Sequence, residues 1–153
     1  MDPLRIGLIS DTHGLLRPEA RVALRGSAHI LHAGDICDPS VLDKLAEIAP
    51  VTAVRGNNDR GDWAEALPEQ VTVEFGGVRI RMVHDAADVP EPVEADVVVT
   101  GHSHKPAISR NGRVLYVNPG SAGPRRFKLP ISVGFLEIAD GQARARLQTL
   151  EVD

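Results

Sequence analysis

Short apolar runs recur along this chain, and several end in a compact cluster of polar residues. LRIGLIS (4–10) is apolar and β-favouring. RPEARVALRG (17–26) follows, with Pro18 suited to a first helical turn and Gly26 to a helix end. AHILHAGD (28–35) predicts a second strand. In DPSVLDKLAEIAP (38–50), Asp38 can cap, Pro39 can take N1, and Val41, Leu42, Leu45 and Ile48 share one helical face. Pro50 stops that helix, and VTAVRG (51–56) reads as a third strand. Strand, helix, strand, helix, strand implies parallel pairing through crossover helices.

The second half follows another rhythm. VTVEF and VRIRMVH flank Gly76-Gly77, AISR and RVLYVN flank Asn111-Gly112, and ISVGFLEIA and QARARLQTLEV flank Asp140-Gly141. Each pair has the two-residue turn that a β-hairpin favours. Val78, Ile80 and Met82 alternate with Arg79 and Arg81, which predicts one core-facing side. An α/β fold is expected, with a parallel βαβ half followed by antiparallel hairpins.

The polar clusters sit where strands end. SDTHG places Asp11 and His13, HAGD places Asp35, and RGNND places Asn57, Asn58 and Asp59. VRIRMVH ends in His84, and VVVTGHSH (97–104) ends in His102 and His104. In α/β sheets, ligands gather outside the carboxyl ends of strands. Asp, His and Asn are hard-to-borderline donors, suited to Mn, Fe, Zn, Co or Ni rather than to a thiolate-selected metal. Residues two apart in extended backbone point the same way, so each Asp-x-His or His-x-His pair is expected to face one centre. Taken singly, each cluster is equally a polar turn, a solvated loop or a hydrogen-bonded histidine.

The ordered set SDTHG, HAGDI, RGNND, VH and TGHSH resembles the calcineurin-like metallophosphoesterase superfamily. Within it, the chain looks like the small single-domain phosphodiesterases of bacteria and archaea, and NPGS (118–121) adds to that likeness. The resemblance implies one domain over residues 1–153, built as a four-layer αββα sandwich of two mixed β-sheets flanked by helices. It implies two divalent cations, with Mn favoured and Ni, Co, Zn or Fe open. Asp11, His13 and His104 would hold one, and Asn57, His84 and His102 the other. Asp35 would bridge the two, and Ser103 would face away from the centre. The implied activity is that of a metal-dependent phosphoric ester hydrolase, a phosphodiesterase. A metal-bridging hydroxide would attack phosphorus in line, with Asp35 and Asn58 in catalytic positions. Two alternatives stay open: a phosphomonoesterase with the same centre, or a protein-binding scaffold. One eukaryotic retromer subunit of this fold is a scaffold with a degraded metal site.

Two positions depart from the family. Many members carry a histidine after the GN asparagine, and this chain has Asn58, which donates hydrogen bonds but transfers no proton near neutral pH. Members often have glycine after the equivalent of His84, and this chain has Asp85. That residue either brings a carboxylate near the second ion or is a solvated loop acid. Asp59 is expected either to orient a ligand histidine or to cap its turn. His32 reads as buried and hydrogen-bonded, and His29 as a strand start. Arg125 and Arg126 read as surface residues, with substrate phosphate as the alternative. Trp63 either covers an apolar patch or joins an oligomer contact. The acidic stretch DAADVPEPVEAD (85–96) leaves little material for a lid, so an open site for a small phosphodiester is expected.

Composition narrows partners and compartment. The net charge of −4 gives no electrostatic case for nucleic acid. Only one cysteine, Cys37, is present, so no intrachain disulfide forms. MDPLRIGLIS lacks the pattern of a signal peptide, and no apolar stretch approaches the ~20 residues of a membrane span. A cytoplasmic protein is expected. Hairpin edges leave homo-oligomer pairing open.

Overall fold

The structure is a computed structural model and describes residues 3–152. In chain order the elements are β1 (Leu4–Ile9), α1 (Pro18–Leu24), β2 (His29–His32), α2 (Pro39–Ala46), β3 (Val51–Ala53) and α3 (Asp62–Glu65). Then come β4 (Gln70–Phe75), β5 (Val78–Val83), a 3-10 turn (Ala86–Asp88), β6 (Val97–Val99), β7 (Ala107–Asn111), β8 (Val114–Asn118), β9 (Ser132–Ala139) and β10 (Gln142–Thr149).

Local signals place the two longer helices. Pro18 opens α1, and Gly26 follows its end with φ +87°, a conformation in which glycine is unstrained. Asp38 caps α2 by accepting a hydrogen bond from Ser40 N at 2.9 Å, and Pro39 stands at the first helical position. Helix α2 ends at Ala46, so Ile48 lies beyond it, yet Ile48 still packs against the helix-side core.

The strands form two mixed five-stranded sheets, ordered β10-β9-β1-β2-β3 and β4-β5-β6-β8-β7. β1, β2 and β3 run parallel, as do β5, β6 and β8. The β9–β10 hairpin returns to the first sheet, where β9 pairs antiparallel with β1. Two turns fall on the expected pairs, Gly76-Gly77 and Asp140-Gly141, with positive φ at all four residues. The third is displaced by one residue. Asn111 pairs with Val114, so the turn is Gly112-Arg113, with positive φ at Gly112 and not at Arg113. A type II′ turn asks for positive φ only at its first central residue, which glycine supplies.

Side-chain alternation divides the interior in two. Ile6, Leu8 and Leu31 of the first sheet meet Val78, Ile80, Met82, Val97, Val99 and Val117 of the second. On the other side of the first sheet, Ala20 and Leu24 of α1 and Val41 and Leu45 of α2 pack with Ile9, Ile30 and Phe135. Each large aliphatic side chain buried this way contributes roughly 1.5–3 kcal/mol against its exposed state. The architecture is the expected sandwich of two mixed sheets with helices. Trp63 of α3 covers the helix-side core. No helix among the described residues is long and apolar enough to cross a membrane.

Candidate metal centre

Because β1, β2 and β3 run one way, their carboxyl ends leave one edge of the first sheet together. The same holds for β5, β6 and β8 in the second. Asp11 and His13 follow β1, Asp35 follows β2, and Asn57 and Asn58 follow β3. His84 follows β5, and His102 and His104 follow β6.

The structure brings all seven expected donors into one cluster. Asp11, His13 and His104 each offer a ligand atom within 4.8 Å of the others, and so do Asp35, His84 and His102. Asn57 Oδ1 lies 3.0 Å from His84 Nε2, in the second group. Asp35 Oδ2 stands between the groups, 3.3 Å from His84 Nε2 and 3.7 Å from His13 Nε2. Asp11 Oδ1 faces the Nε2 atoms of His104, His13 and His84 at 3.5, 3.9 and 4.0 Å.

The means of convergence differs from the sequence expectation. Asp11, His13, Asp35, His102 and His104 all have positive φ, between +46° and +71°. They are therefore not neighbours in extended backbone sharing a face; each is turned by a left-handed residue. Asp and His tolerate that region better than most residues, but it is still unfavourable by about 1 kcal/mol or more per residue. Glycine would relieve the strain and supply no donor atom.

Hydrogen bonds outside the sheets hold these loops. Asp11 N and His13 N donate to Gly34 O and Asp35 O at 3.0 and 2.9 Å, extending the β1–β2 pairing. Asp59 Oδ2 accepts from Asp35 N and Gly56 N, and its Oδ1 accepts from Cys37 N. Asp59 thus braces the loop carrying Asp35 and orients no histidine. Two glycines permit close approach. A Cβ at Gly56 would overlap Asp35 Oδ1, and one at Gly101 would overlap Ser10 Oγ.

Asn58 donates from N and Nδ2 to the two oxygens of Asp35 at 2.9 and 3.0 Å. Burial alone would raise the Asp35 pKa. Its bonds from His84 and Asn58 outweigh that and hold it well below the usual carboxylate range. Asp11 goes the other way: burial raises it, against the bond from Ser10 and the facing histidines. Burial also opposes the charged form of His84, but the Asp35 and Asp11 carboxylates and the Ala33 carbonyl prevail and raise it. Burial lowers His104.

The arrangement suits cations. Asp11 Oδ1 is buried and has no hydrogen-bond partner among the described residues, although imidazole nitrogens surround it. His84 Nδ1 lies 2.7 Å from Ala33 O and donates to it, so in the neutral ring the Nε2 lone pair faces the cluster. Burial, with Asp59, Asp35 and Asp11, pushes the Cys37 thiol up to about 11, so in the metal-free protein it stays protonated at neutral pH.

Several contributors carried no signal in their own residue type. Ser10 Oγ donates to Asp11 Oδ2 at 2.7 Å. Asn118 of NPGS donates to Gly101 O at 3.0 Å and to Ser103 Oγ at 3.1 Å, bracing the GHSH loop. Ser121 Oγ donates to Asp11 O. NPGS adds to the family likeness, but its mechanical role appears only in three dimensions. Arg125 and Arg126 are exposed. His29 opens β2 and bonds Thr52 at 2.8 Å.

Residues 4–141 match the calcineurin-like phosphoesterase superfamily domain. The chain belongs to that superfamily, a family of hydrolases. It is 37% identical over 152 residues to the "Probable metallophosphoesterase" of Methanothermobacter thermautotrophicus, covering 90% of this chain and 87% of the relative. It is 29% identical over 161 residues to phosphodiesterase YfcE of Escherichia coli, with 88% of each chain covered. Vps29 of Chaetomium thermophilum shares the fold, with a TM-score of 0.77 at 21% identity over 96% of this chain and 97% of that one.

His32 lies beneath the centre, fully buried. Its Nδ1 accepts from Gly34 N and its Nε2 meets Thr12 Oγ1, both at 3.1 Å. Thr12 Oγ1 in turn donates to Ile36 O. Burial, with His84 nearby, lowers the His32 pKa to about 3. The folded protein thus keeps a neutral ring that the unfolded chain protonates below ~6.5. Stability from this group is complete above that pH and declines as pH falls toward 3. In chelator, denaturation of the wild type should lose about 2–3 kcal/mol more than His32→Gln between pH 6.5 and 4.5. Equal losses would contradict a neutral buried His32.

Proposed function

We propose that this chain is a dinuclear-metal-dependent phosphodiesterase acting on small phosphodiesters, with residues 1–153 forming one catalytic domain. One observation carries the reading: a single carboxylate, Asp35, stands between two donor groups, within 3.7 Å of a histidine from each. In this reading Asp11, His13 and His104 hold one cation, Asn57, His84 and His102 the other, and Asp35 both. When bound, such a pair neutralises the ester's anionic oxygens and lowers the pKa of the attacking water.

The chain's own residues do the rest. Asp35 fixes the spacing of the pair, and Asn58 holds Asp35 through two hydrogen bonds. Ser10 and His102 N hold Asp11 Oδ2, which turns Oδ1 inward. Asn57 adds a donor without adding charge. Beside the second group, Arg55, Asn57, Gln70, His84, Asp85 and His102 line a cavity of about 420 Å³, which would admit the ester's organic groups. Mn is the ion the family resemblance favours; the carboxylate and amide donors suit it, and the four imidazoles leave Ni, Co, Zn and Fe open. The full donor set supports catalysis over a scaffold role.

The direct test is hydrolysis of a diester and a monoester of one chromogenic alcohol with added Mn2+. The diester should turn over faster; a faster monoester would assign the same centre to a phosphomonoesterase. Asp35→Asn should remain folded by circular dichroism and lose roughly 10³-fold in kcat, comparable to the several kcal/mol a metal centre supplies. Retained turnover would contradict the bridging role.

Asn58 also sets an expectation for the leaving group. Without a histidine there, departure depends on the intrinsic stability of the leaving oxyanion. Across aryl diesters, log kcat/KM should fall steeply as leaving-group pKa rises, and Asn58→His should flatten the slope. A flat wild-type plot would contradict this.

A further inference from the structure

The two donor groups differ in charge and in packing. Asp11 and the shared Asp35 supply carboxylates to the first, whereas the second has the shared Asp35 and the neutral Asn57. Asp11 and His104 are buried, but the His102 side chain is 45% exposed. His102 is held by its backbone N on Asp11 Oδ2 and by the edge of His84, with ring centroids 5.2 Å apart. A ring so lightly held loses rotamer entropy when it takes up a cation.

Asp85 stands beside that ring. Its Oδ1 accepts from Ala87 N at 3.0 Å, capping the 3-10 turn Ala86–Asp88 and fixing the carboxylate's direction. Its Oδ2 lies 3.7 Å from His102 Nε2, and no Lys or Arg among the described residues pairs with it. The turn therefore presents one spare carboxylate oxygen to an exposed donor of the group that has less charge.

Resting on the two-cation reading above, we infer that Asp85 is a positioning residue for the second cation. Its spare oxygen, 3.7 Å from His102 Nε2, would take that N–H on a small rotation when Nδ1 turns to the cation, and it adds negative charge where Asn57 adds none. Carboxylates that hold a ligand histidine change metal affinity by about 10–100-fold. The 3-10 turn is thus more than a connection between β5 and β6. It couples the cap on Ala87 N to the geometry of a metal donor.

Mn2+ titration calorimetry on chelator-stripped protein tests this. Asp85→Ser keeps an oxygen for Ala87 N but cannot reach His102. Asp85→Asn keeps shape and cap but offers no charge. In both variants one of two Mn2+ sites should weaken about 10–100-fold while the other keeps its affinity and the apo melting temperature stays near that of the wild type. If the wild type binds two Mn2+ and both variants match it at both sites, the Asp85 role is overturned and the two-cation reading stands. A wild type that binds one Mn2+ or none overturns both. Equal weakening of both sites also overturns the Asp85 role, because it would show general damage to the loop.

Discussion

His84 Nδ1 gives its proton to the Ala33 carbonyl 2.7 Å away, and that bond decides what its other nitrogen can do. In a neutral ring, Nε2 carries a lone pair, and it faces Asn57 Oδ1 at 3.0 Å and Asp35 Oδ2 at 3.3 Å. Three acceptors at that range repel unless positive charge lies among them. A proton serves in the metal-free protein, which is why the His84 pKa is raised against its burial. A divalent cation would serve the same arrangement better, because the three donor atoms could share it. Asp11 Oδ1 repeats the theme on the other side, buried and unpartnered among imidazoles.

The fold has to enforce such crowding, and it does so with backbone. Five of the donors occupy left-handed conformations that isolated chains visit rarely. Their loops are held by the extended β1–β2 pairing, by the three backbone bonds that Asp59 accepts and by Asn118 on the GHSH loop. Gly56 and Gly101 remove the side chains that would keep Asp35 and Ser10 apart from the neighbouring loop. The two sheets supply the rigid base: their interlocked aliphatic faces fix where the strand ends emerge. Strain at the rim is tolerable because the interior is well packed.

Much of this was legible in residue order. Strand ends could be read because apolar alternation stops at Ile9, His32, Ala53, Val83 and Val99, and a donor follows each stop within a few positions. Asp38-Pro39 and Gly26 marked helix boundaries through local chemistry alone. The third hairpin is shifted by one residue because Gly112 can stand second in one turn type or first in another, and here Asn111 is taken up as the last paired residue of β7, opposite Val114. The attachment of β9 to β1 was not legible, since nothing in a β-rich run names its partner. At the centre, residue types marked the strand-end clusters that the fold draws together, but their convergence comes from left-handed backbone and not from neighbours sharing an extended face. Asp59 shows the reason: two of its three backbone partners lie 22 and 24 residues away, and backbone N–H groups leave no mark in a sequence.

Anomalous diffraction at the manganese edge, from crystals grown with Mn2+, would locate the cations themselves. Two peaks about 3.5–4 Å apart are expected. Asp35 should touch both, with His13 and His104 on one and His84 and His102 on the other. A single peak, or two peaks with Asp35 bound to neither, would contradict the bridged pair.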